Sequence, residues 1–203
     1  LRALGFAPGG SSGFGCALLD AGSKFCSTHS VSSVDEAVDW ANSFEIAPDV
    51  AGIDTLLFWQ STRSGWRGAD EFLRKKYPRA MRSVVSANGL YGSMAVQGAV
   101  LAHRLRECWP TIKLTETHPK LLWAHFYPDV TYPRDWKIDS ARGFLAEQGL
   151  QNVELKDSHQ LDALLSAWAS IQGFSGSWPI DLASERAEGQ IGENISVVSN
   201  IHY

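Results

Sequence analysis

The chain has 203 residues, of which 44% are hydrophobic and 20% are charged, and its formal net charge is −4. This composition is typical of a globular protein and excludes a disordered chain, so we expect one domain over residues 1–203. The negative charge argues against broad electrostatic adhesion to nucleic acid or to anionic membrane. The uncharged residues 89–102 are too few and too interrupted by glycine to cross a bilayer, so we expect no membrane partner.

Two further features favour the cytoplasm. The three cysteines, Cys16, Cys26 and Cys108, have no metal-ligand spacing and are an odd set. No charged segment followed by an apolar segment opens the sequence. We therefore expect a cytoplasmic protein.

The first part of the chain predicts an antiparallel meander followed by a helix. "LRALGF" and "FGCALLD" are strand-like and are joined by the Gly/Ser turn "APGGSSG", and "KFCSTHSV" is a candidate third strand. Ser33 and Glu36 form a capping-box pattern, which predicts a helix that runs to about Phe44. The Gly/Ser turn could also cradle a phosphate through its backbone N–H groups, as in actin-like or kinase-like proteins, although a hairpin turn explains it fully.

The fourth predicted strand contains an unusual carboxylate. After Pro48, "DVAGIDTLLF" is a nearly continuous apolar run, which is typical of a strand buried on both faces. Asp54 interrupts the run. Because a buried carboxylate is costly unless it is paired or coordinates a metal, Asp54 is a candidate functional residue.

A basic segment follows at about residues 60–90 and is predicted to be an insertion. Between Arg63 and Arg82 the chain carries seven Arg or Lys residues against two carboxylates. The five candidates for contact with a polyanion are Arg63, Arg67, Arg74, Lys75 and Lys76. A solvated loop and helix face explains the same pattern equally well.

The second part of the chain alternates helices with one strand. We predict a helix over Ala95 to Glu107, a strand "TIKLTE" that ends at Glu116, and a helix "HPKLLWAHF" with Pro119 in its first turn. "YPDVTYPRDW" is a loop and "DSARGFLAEQG" is a helix, and the tail "SWPIDLASERAEGQIGENISVVSNIHY" includes a short helix, a glycine turn and an extended end.

The helix "DSHQLDALLSAWAS" places a histidine and a carboxylate on one face. Its leucines recur at helical spacing, and His159 and Asp162 are three residues apart near its N-terminus, where the helix dipole favours an anion. Asp162 is either a solvated polar edge of a core helix or a residue with a chemical role, and the spacing alone leaves both interpretations open.

The predicted order βββαβαβα builds a mixed five-stranded sheet with helices on its faces. Ligands in such sheets collect at the carboxyl ends of the parallel strands. Asp54 and Glu116 both fall at or near such ends.

This layout resembles the ribonuclease-H-like fold, and in particular a family of predicted nucleases catalogued as a domain of unknown function, in its resolvase-like branch. The shared features are "AGIDTLLFW", the basic insertion after it, "SANGLYGSM", "TETHPKLLWA", "HQLDALLSAWAS" and "AEGQIG", and they cover most of the chain from about residue 49. No single feature is specific; their order and spacing carry the resemblance.

The resemblance implies a carboxylate site for Mg²⁺ or Mn²⁺. Its ligands would be Asp54, Glu116 and Asp162, with His159 as a further catalytic candidate, and the activity would be metal-dependent hydrolysis of a phosphodiester by a nuclease. Nucleic acid or a nucleotide is the expected partner.

The sequence departs from the resemblance at the end of the first strand. Nucleases of this fold rely on an aspartate there, whereas this chain has "GFAPGG", with Ala7 or a neighbour at the matching position. The alternative to a nuclease is therefore a catalytically degenerate protein of the same fold that binds nucleic acid or a nucleotide without cutting it. Fold alone does not decide between the two.

Overall fold

The computed structural model describes residues 1–9, 13–23, 25–60, 63–86, 88–90, 92–150, 153–178, 182, 190–191 and 197–199. Its centre is a sheet of six strands. These are β1 (Arg2–Ala7), β2 (Phe14–Asp20), β3 (Phe25–Val31), β4 (Val50–Ile53), β6 (Lys113–Glu116) and β8 (Val197–Ser199). Two further strands, β5 (Trp59–Gln60) and β7 (Gln190–Ile191), pair with each other in a separate antiparallel ribbon.

The sheet is mixed, with the strand order β3-β2-β1-β4-β6-β8. Strands β1, β2 and β3 form the antiparallel meander, and β4, β6 and β8 extend it in parallel. The predicted α/β class and mixed sheet are thereby confirmed, and the five predicted strands correspond to β1–β4 and β6. The tip of the Gly/Ser turn, residues 10–12, and most of the predicted tail lie outside the described residues.

In the described ranges, six α-helices accompany the sheet. They are α1 (Val34–Asn42), α2 (Gly68–Lys76), α3 (Gly92–Cys108), α4 (Pro119–Phe126), α5 (Arg142–Glu147) and α6 (Ser158–Phe174). Ser33 caps α1 by accepting a hydrogen bond from the N–H of Glu36 at 3.2 Å, and Pro119 begins α4, as the sequence predicted. Within the described part of the chain, no helix combines the length and apolar character needed to cross a bilayer.

The pleat of the strands divides the core into two layers. In β1, Leu4 and Phe6 face α1 and α3, whereas Ala3 and Ala7 face α6. The helix α6 is buried along most of its length, from Gln160 to Ile171. It therefore forms the centre of one layer of the protein, with the sheet beneath it.

Three glycines allow α6 to pack closely against the sheet. A β-carbon added to Gly5, Gly15 or Gly52 would lie 1.9 Å, 1.9 Å or 2.2 Å from a backbone carbonyl oxygen of α6. The three oxygens belong to residues 163, 159 and 166 respectively. Because Gly5, Gly15 and Gly52 lie on three neighbouring strands, the helix backbone rests directly on the sheet, at a distance that no side chain permits.

The strand predicted over "DVAGIDTLLF" is shorter than the apolar run suggested. It ends at Ile53, and Leu56, Leu57 and Phe58 are buried in an irregular segment. The N–H of Leu57 donates to the Glu116 carboxylate at 2.9 Å instead of to a strand carbonyl. The prediction of a strand through Phe58 was wrong because burial alone, without strand pairing, produces the same apolar run.

Replacing Gly5 with alanine tests the close packing of α6 on β1. We expect Gly5→Ala to lower the free energy of unfolding by about 3 kcal/mol, because the added methyl group would force the helix away from β1. Urea unfolding followed by circular dichroism measures this. Gly143→Ala is the control, since a β-carbon at Gly143 in α5 meets no atom within 4 Å and should be neutral or slightly stabilising. Equal free energies of unfolding in the two variants would contradict the close packing of α6 on β1.

Candidate functional site

The carboxyl ends of β1, β4 and β6 lie side by side. Ala7 is the last residue of β1, and Asp54 follows directly after β4, where its N–H donates to the carbonyl oxygen of Phe6 at 2.8 Å. Glu116 is the last residue of β6 and pairs in register with Ile53. The residues that the sequence placed at strand ends therefore do lie at one edge of the sheet.

Asp162 joins Asp54 at this edge from α6. Gly52 lies under Ser166 of α6, and Asp54 follows two residues later on the same side of the sheet. The negative charge of Asp162 acts directly on the Asp54 carboxyl. Asp162 is only 5% exposed, so its interpretation as a solvated helix edge was wrong.

Lys120 and Tyr132 hold the Asp162 carboxylate. The ammonium group of Lys120 lies 3.4 Å from one oxygen of Asp162, and the Tyr132 hydroxyl donates a short hydrogen bond to the other. The ammonium also lies 5.5 Å from the centre of the Tyr132 ring. The charge of Asp162 raises the pKa of Lys120, and burial together with Asp162 raises that of Tyr132, so both groups keep their protons at neutral pH.

The Asp54 carboxyl is partly buried and carries an unusual pKa. Burial raises its pKa to about 6, the positive charge of Lys120 opposes this rise, and Asp162 adds to it. His118 and Glu116 have smaller, opposite effects. A pair of neighbouring carboxylates that share one ammonium group is electrostatically unfavourable, which is typical of functional sites rather than of structural ion pairs.

Glu116 belongs to a different cluster. By the alternation of β6 it shares the side of Leu114, which faces α1 and α3, whereas Thr117 bonds to Ser166 of α6 at 2.7 Å. Its oxygens accept hydrogen bonds from Leu57 N–H at 2.9 Å and from Arg67, and one lies 3.1 Å from Nε2 of His118. Although burial raises the pKa of Glu116, the adjacent Arg67 lowers it to about 2.

Arg67 is the centre of this second cluster. Nη1 and Nη2 donate to the two oxygens of Glu116 at 2.8 and 2.6 Å, and Nε and Nη2 donate to Asp70 at 3.0 and 2.6 Å. Nη1 also donates to the carbonyl oxygen of Phe58 at 3.0 Å. All five N–H groups of the guanidinium are thus satisfied, and Arg67 is 1% exposed.

The cluster around Arg67 changes the expected roles of two residues. Glu116 was predicted as a metal ligand, but both of its oxygens are bound to Arg67. Arg67 was predicted to bind substrate, but it is buried and has no remaining donor. The ion pair between the two residues instead joins α2, and with it the basic segment, to the end of β6.

The other predicted site residues have different surroundings. Arg74 donates to the carbonyl oxygens of Met81 and Val84 at 2.8 and 2.9 Å and stacks on Trp66, so it stabilises the basic segment itself. The remaining predicted cations of the segment, Arg63, Lys75 and Lys76, are exposed. His159 is half-buried and lies over the hairpin, with its ring beside Gly13 and its carbonyl over Gly15.

The described residues bring two candidate metal-binding carboxylates together, not three. Among the described residues, no group of three or more His, Cys, Asp or Glu side chains is arranged to hold a metal. Mg²⁺ commonly binds through one or two carboxylates and completes its shell with water and substrate phosphate. Asp54 and Asp162 are two carboxylates that could hold such an ion, and Ala7 supplies no third carboxylate beside them.

Lys120 and Tyr132 were not predicted as residues of the site. A signal for Lys120 was present, because a lysine at the second position of α4 faces the positive end of the helix dipole, which is unfavourable without a nearby anion. Tyr132 lies in a segment that was predicted only as a loop. No local pattern identifies it, since its partner Asp162 is 30 residues away.

Comparisons with protein-family models, with curated proteins and with solved structures found no match to this chain. The resemblance to predicted nucleases therefore remains a prediction, and the function has to be argued from the site.

The raised pKa of Asp54 predicts a pH-dependent gain of stability in Asp54→Asn. Because the folded pKa of about 6 exceeds the unfolded value of 3.8, ionisation of Asp54 lowers stability as pH rises from about 4 to 6. The variant should therefore be more stable than the natural chain above pH 6, by on the order of 1 kcal/mol given the partial exposure of the side chain. The difference should vanish near pH 4.

Thermal and urea unfolding between pH 4 and 8 measure this difference. Asp39→Asn, an exposed position on α1, is the matched control and should show no such pH-dependent gain. A loss of stability in Asp54→Asn at pH 7 would show that Asp54 is a structural residue.

A second prediction concerns the buried cluster. Arg67→Met should lower the free energy of unfolding by about 3 to 5 kcal/mol at pH 7, because it leaves Glu116 and Asp70 without their cation. Arg79→Met removes an exposed pair with Asp129 and should cost less than about 1 kcal/mol. Chemical denaturation of both variants provides the measurement, and similar losses in the two would contradict the structural role of Arg67.

Proposed function

We propose that this chain is a metal-dependent phosphodiesterase of the nuclease type, with a ribonuclease-H-like fold and with Asp54 and Asp162 as its metal ligands. The observation that carries the proposal is the placement of these two carboxyl groups, one directly after β4 and one on α6, beside the end of β1 and close enough for each charge to act on the other. The antiparallel meander extended by parallel strands supports the fold assignment, because it is the sheet that the resemblance implies.

The electrostatics of the pair support a cationic ligand. Two carboxylates at close quarters repel, and the Lys120 ammonium compensates for only one of the two charges. A second positive charge would therefore bind favourably. A divalent ion, when bound, supplies positive charge at a phosphate and lowers the pKa of water, which is the chemistry that phosphodiester hydrolysis requires.

The residues of the chain have separate tasks in this proposal. Asp54 and Asp162 hold the ion through their carboxylate oxygens. The Tyr132 hydroxyl fixes the orientation of Asp162 through its hydrogen bond. The Lys120 side chain is 47% exposed and keeps its proton, so Nζ can donate to a phosphate oxygen that approaches from solvent.

A second candidate function is binding without hydrolysis, and two observations favour it. Ala7 occupies the place at the end of β1, beside Asp54, where nucleases of this fold have an aspartate that bridges two ions. Lys120 already places a positive charge against Asp162. Both features weaken metal binding, so we expect slow hydrolysis by the natural chain rather than efficient cutting.

The test is hydrolysis of single-stranded, duplex and branched DNA and of RNA with Mg²⁺ or Mn²⁺. We expect weak or undetectable cleavage by the natural chain and at least a tenfold gain of Mn²⁺-dependent cleavage in Ala7→Asp, since the added carboxylate can bridge two ions. Asp54→Asn in the Ala7→Asp background should abolish this gain. Asp39→Asn in the same background is the matched control and should leave it intact.

Calorimetric titration with Mn²⁺ gives a second readout that does not depend on turnover. The natural chain should bind about one ion, and Asp54→Asn and Asp162→Asn should each weaken binding by at least tenfold. Absence of Mn²⁺ binding and of cleavage in a folded Ala7→Asp variant would exclude the nuclease proposal. Strong Mg²⁺-dependent cutting by the natural chain, lost in Asp54→Asn, would instead show that the site works without the carboxylate at position 7.

A further inference from the structure

A cleft of about 480 Å³ opens next to the carboxylate pair. One wall is the segment from Arg79 to Ser83, at the end of the basic insertion, and the other is α4 with the loop that follows it, as far as Arg134. Its volume falls in the range of sites that bind small molecules or single units of a polymer.

The cleft is strongly cationic. The four cations that line it are Arg79, Arg82, Lys120 and Arg134. Asp129 is the single carboxylate among the lining residues, and it is bound to Arg79 at 2.5 Å across an exposed pair. In a chain with a net charge of −4, this concentration of positive charge would attract an anion to one place on the surface.

Apolar side chains from both walls also line the cleft. Ala80, Ala124, Pro128 and Val130 lie among the cations, and Val130 is 51% exposed. An inorganic anion would gain nothing from such a surface. A nucleotide combines a phosphate with a base whose faces are apolar, so it would contact both the cations and these apolar side chains.

Two residues that line the cleft also contact the carboxylate pair. Lys120 and Tyr132 line the cleft, and the same two side chains hold the Asp162 carboxylate. A phosphate bound among the arginines would therefore lie next to the groups that orient the proposed metal ligands. This continuity distinguishes the cleft from an isolated basic patch.

We propose that this cleft binds a nucleotide phosphate, from a nucleic-acid strand or from a free nucleotide, with Arg82 and Arg134 as its main anchors. The inference rests on the proposed function and names the substrate surface for the same site. Arg82 and Arg134 are exposed, and the cations of α2 that the sequence suggested, Lys75 among them, do not line the cleft. Arg79 is a weaker candidate because Asp129 already neutralises it.

The experiment measures binding in EDTA by fluorescence anisotropy, so that no hydrolysis occurs. The probes are labelled 12-residue strands of single-stranded DNA and RNA and labelled adenosine monophosphate. The Arg82→Ala/Arg134→Ala double variant should bind at least tenfold more weakly at about 0.1 M salt, and for the strands its plot of log affinity against log salt should be flatter by about 1.4. Arg104→Ala removes the same kind of charge from α3, which packs on the opposite face of the sheet, and should bind as the natural chain does.

Melting temperatures confirm that each variant is folded. Binding of the strands but not of the monophosphate would show that the phosphate comes from nucleic acid, and binding of the monophosphate would show that a free nucleotide is sufficient. Both results support the proposal that the cleft binds a nucleotide phosphate. Three results would overturn it: no binding of any probe by the natural chain, an unchanged affinity in the double variant, or an equal loss in Lys75→Ala. Because metal and turnover play no part in this assay, a negative cleavage experiment leaves its result intact.

Discussion

The close packing of the α6 backbone on the sheet is the constraint on which the rest of the structure depends. The backbone of α6 approaches β1, β2 and β4 so closely that only glycine fits beneath it at positions 5, 15 and 52. This contact fixes the distance of α6 from the sheet and the rotation of α6 about its own axis. In the sequence of α6, Asp162 lies between residues 159 and 163, whose carbonyl oxygens pack on two of these glycines. The close packing of α6 therefore also determines where the Asp162 carboxylate lies relative to Asp54.

Two groups of charges at the same end of the sheet have opposite physical characters. The cluster of Arg67, Asp70 and Glu116 is buried and fully hydrogen bonded, with every guanidinium donor used. The pair of Asp54 and Asp162 is under-compensated and partly accessible, and the pKa of Asp54 is raised toward neutrality. In the first arrangement, loss of either partner would leave a buried charge unpaired, whereas the second arrangement lowers stability, a feature that clusters at functional sites.

Lys120 connects the two halves of the proposed site. Its ammonium is held against the electrostatic preference of a helix N-terminus by Asp162 and Asp54, and its side chain also reaches the cationic cleft. A single residue thus faces the proposed metal ligands on one side and the proposed phosphate surface on the other. This arrangement is consistent with slow hydrolysis and with binding alone, and the choice between them depends on the missing carboxylate at Ala7.

Local signals in the sequence predicted the elements well but not the partners. Ser33 as the cap of α1, Pro119 at the start of α4 and the meander of β1 to β3 all follow from patterns within a few residues. The pairing of Arg67 with Glu116 joins residues 49 positions apart, and no periodicity reveals it.

The surroundings of the candidate site residues were predicted only in part for the same reason. Asp54 stood out because a carboxylate in an apolar run is costly. Glu116 seemed equivalent by its place at a strand end, but the alternation of β6 and the position of Arg67 turned it to another role. The extent of β4 was overestimated because buried irregular backbone and a buried strand have the same composition.

The most direct test of this account is a crystal structure grown with Mn²⁺, with anomalous diffraction recorded at the manganese edge. The account predicts one anomalous peak coordinated by the carboxylates of Asp54 and Asp162, with Glu116 still bound to Arg67, and no peak at that place in crystals of Asp162→Asn. A peak coordinated by Glu116, or two carboxylates that point away from each other with no manganese between them, would contradict the central claim that Asp54 and Asp162 form the metal site.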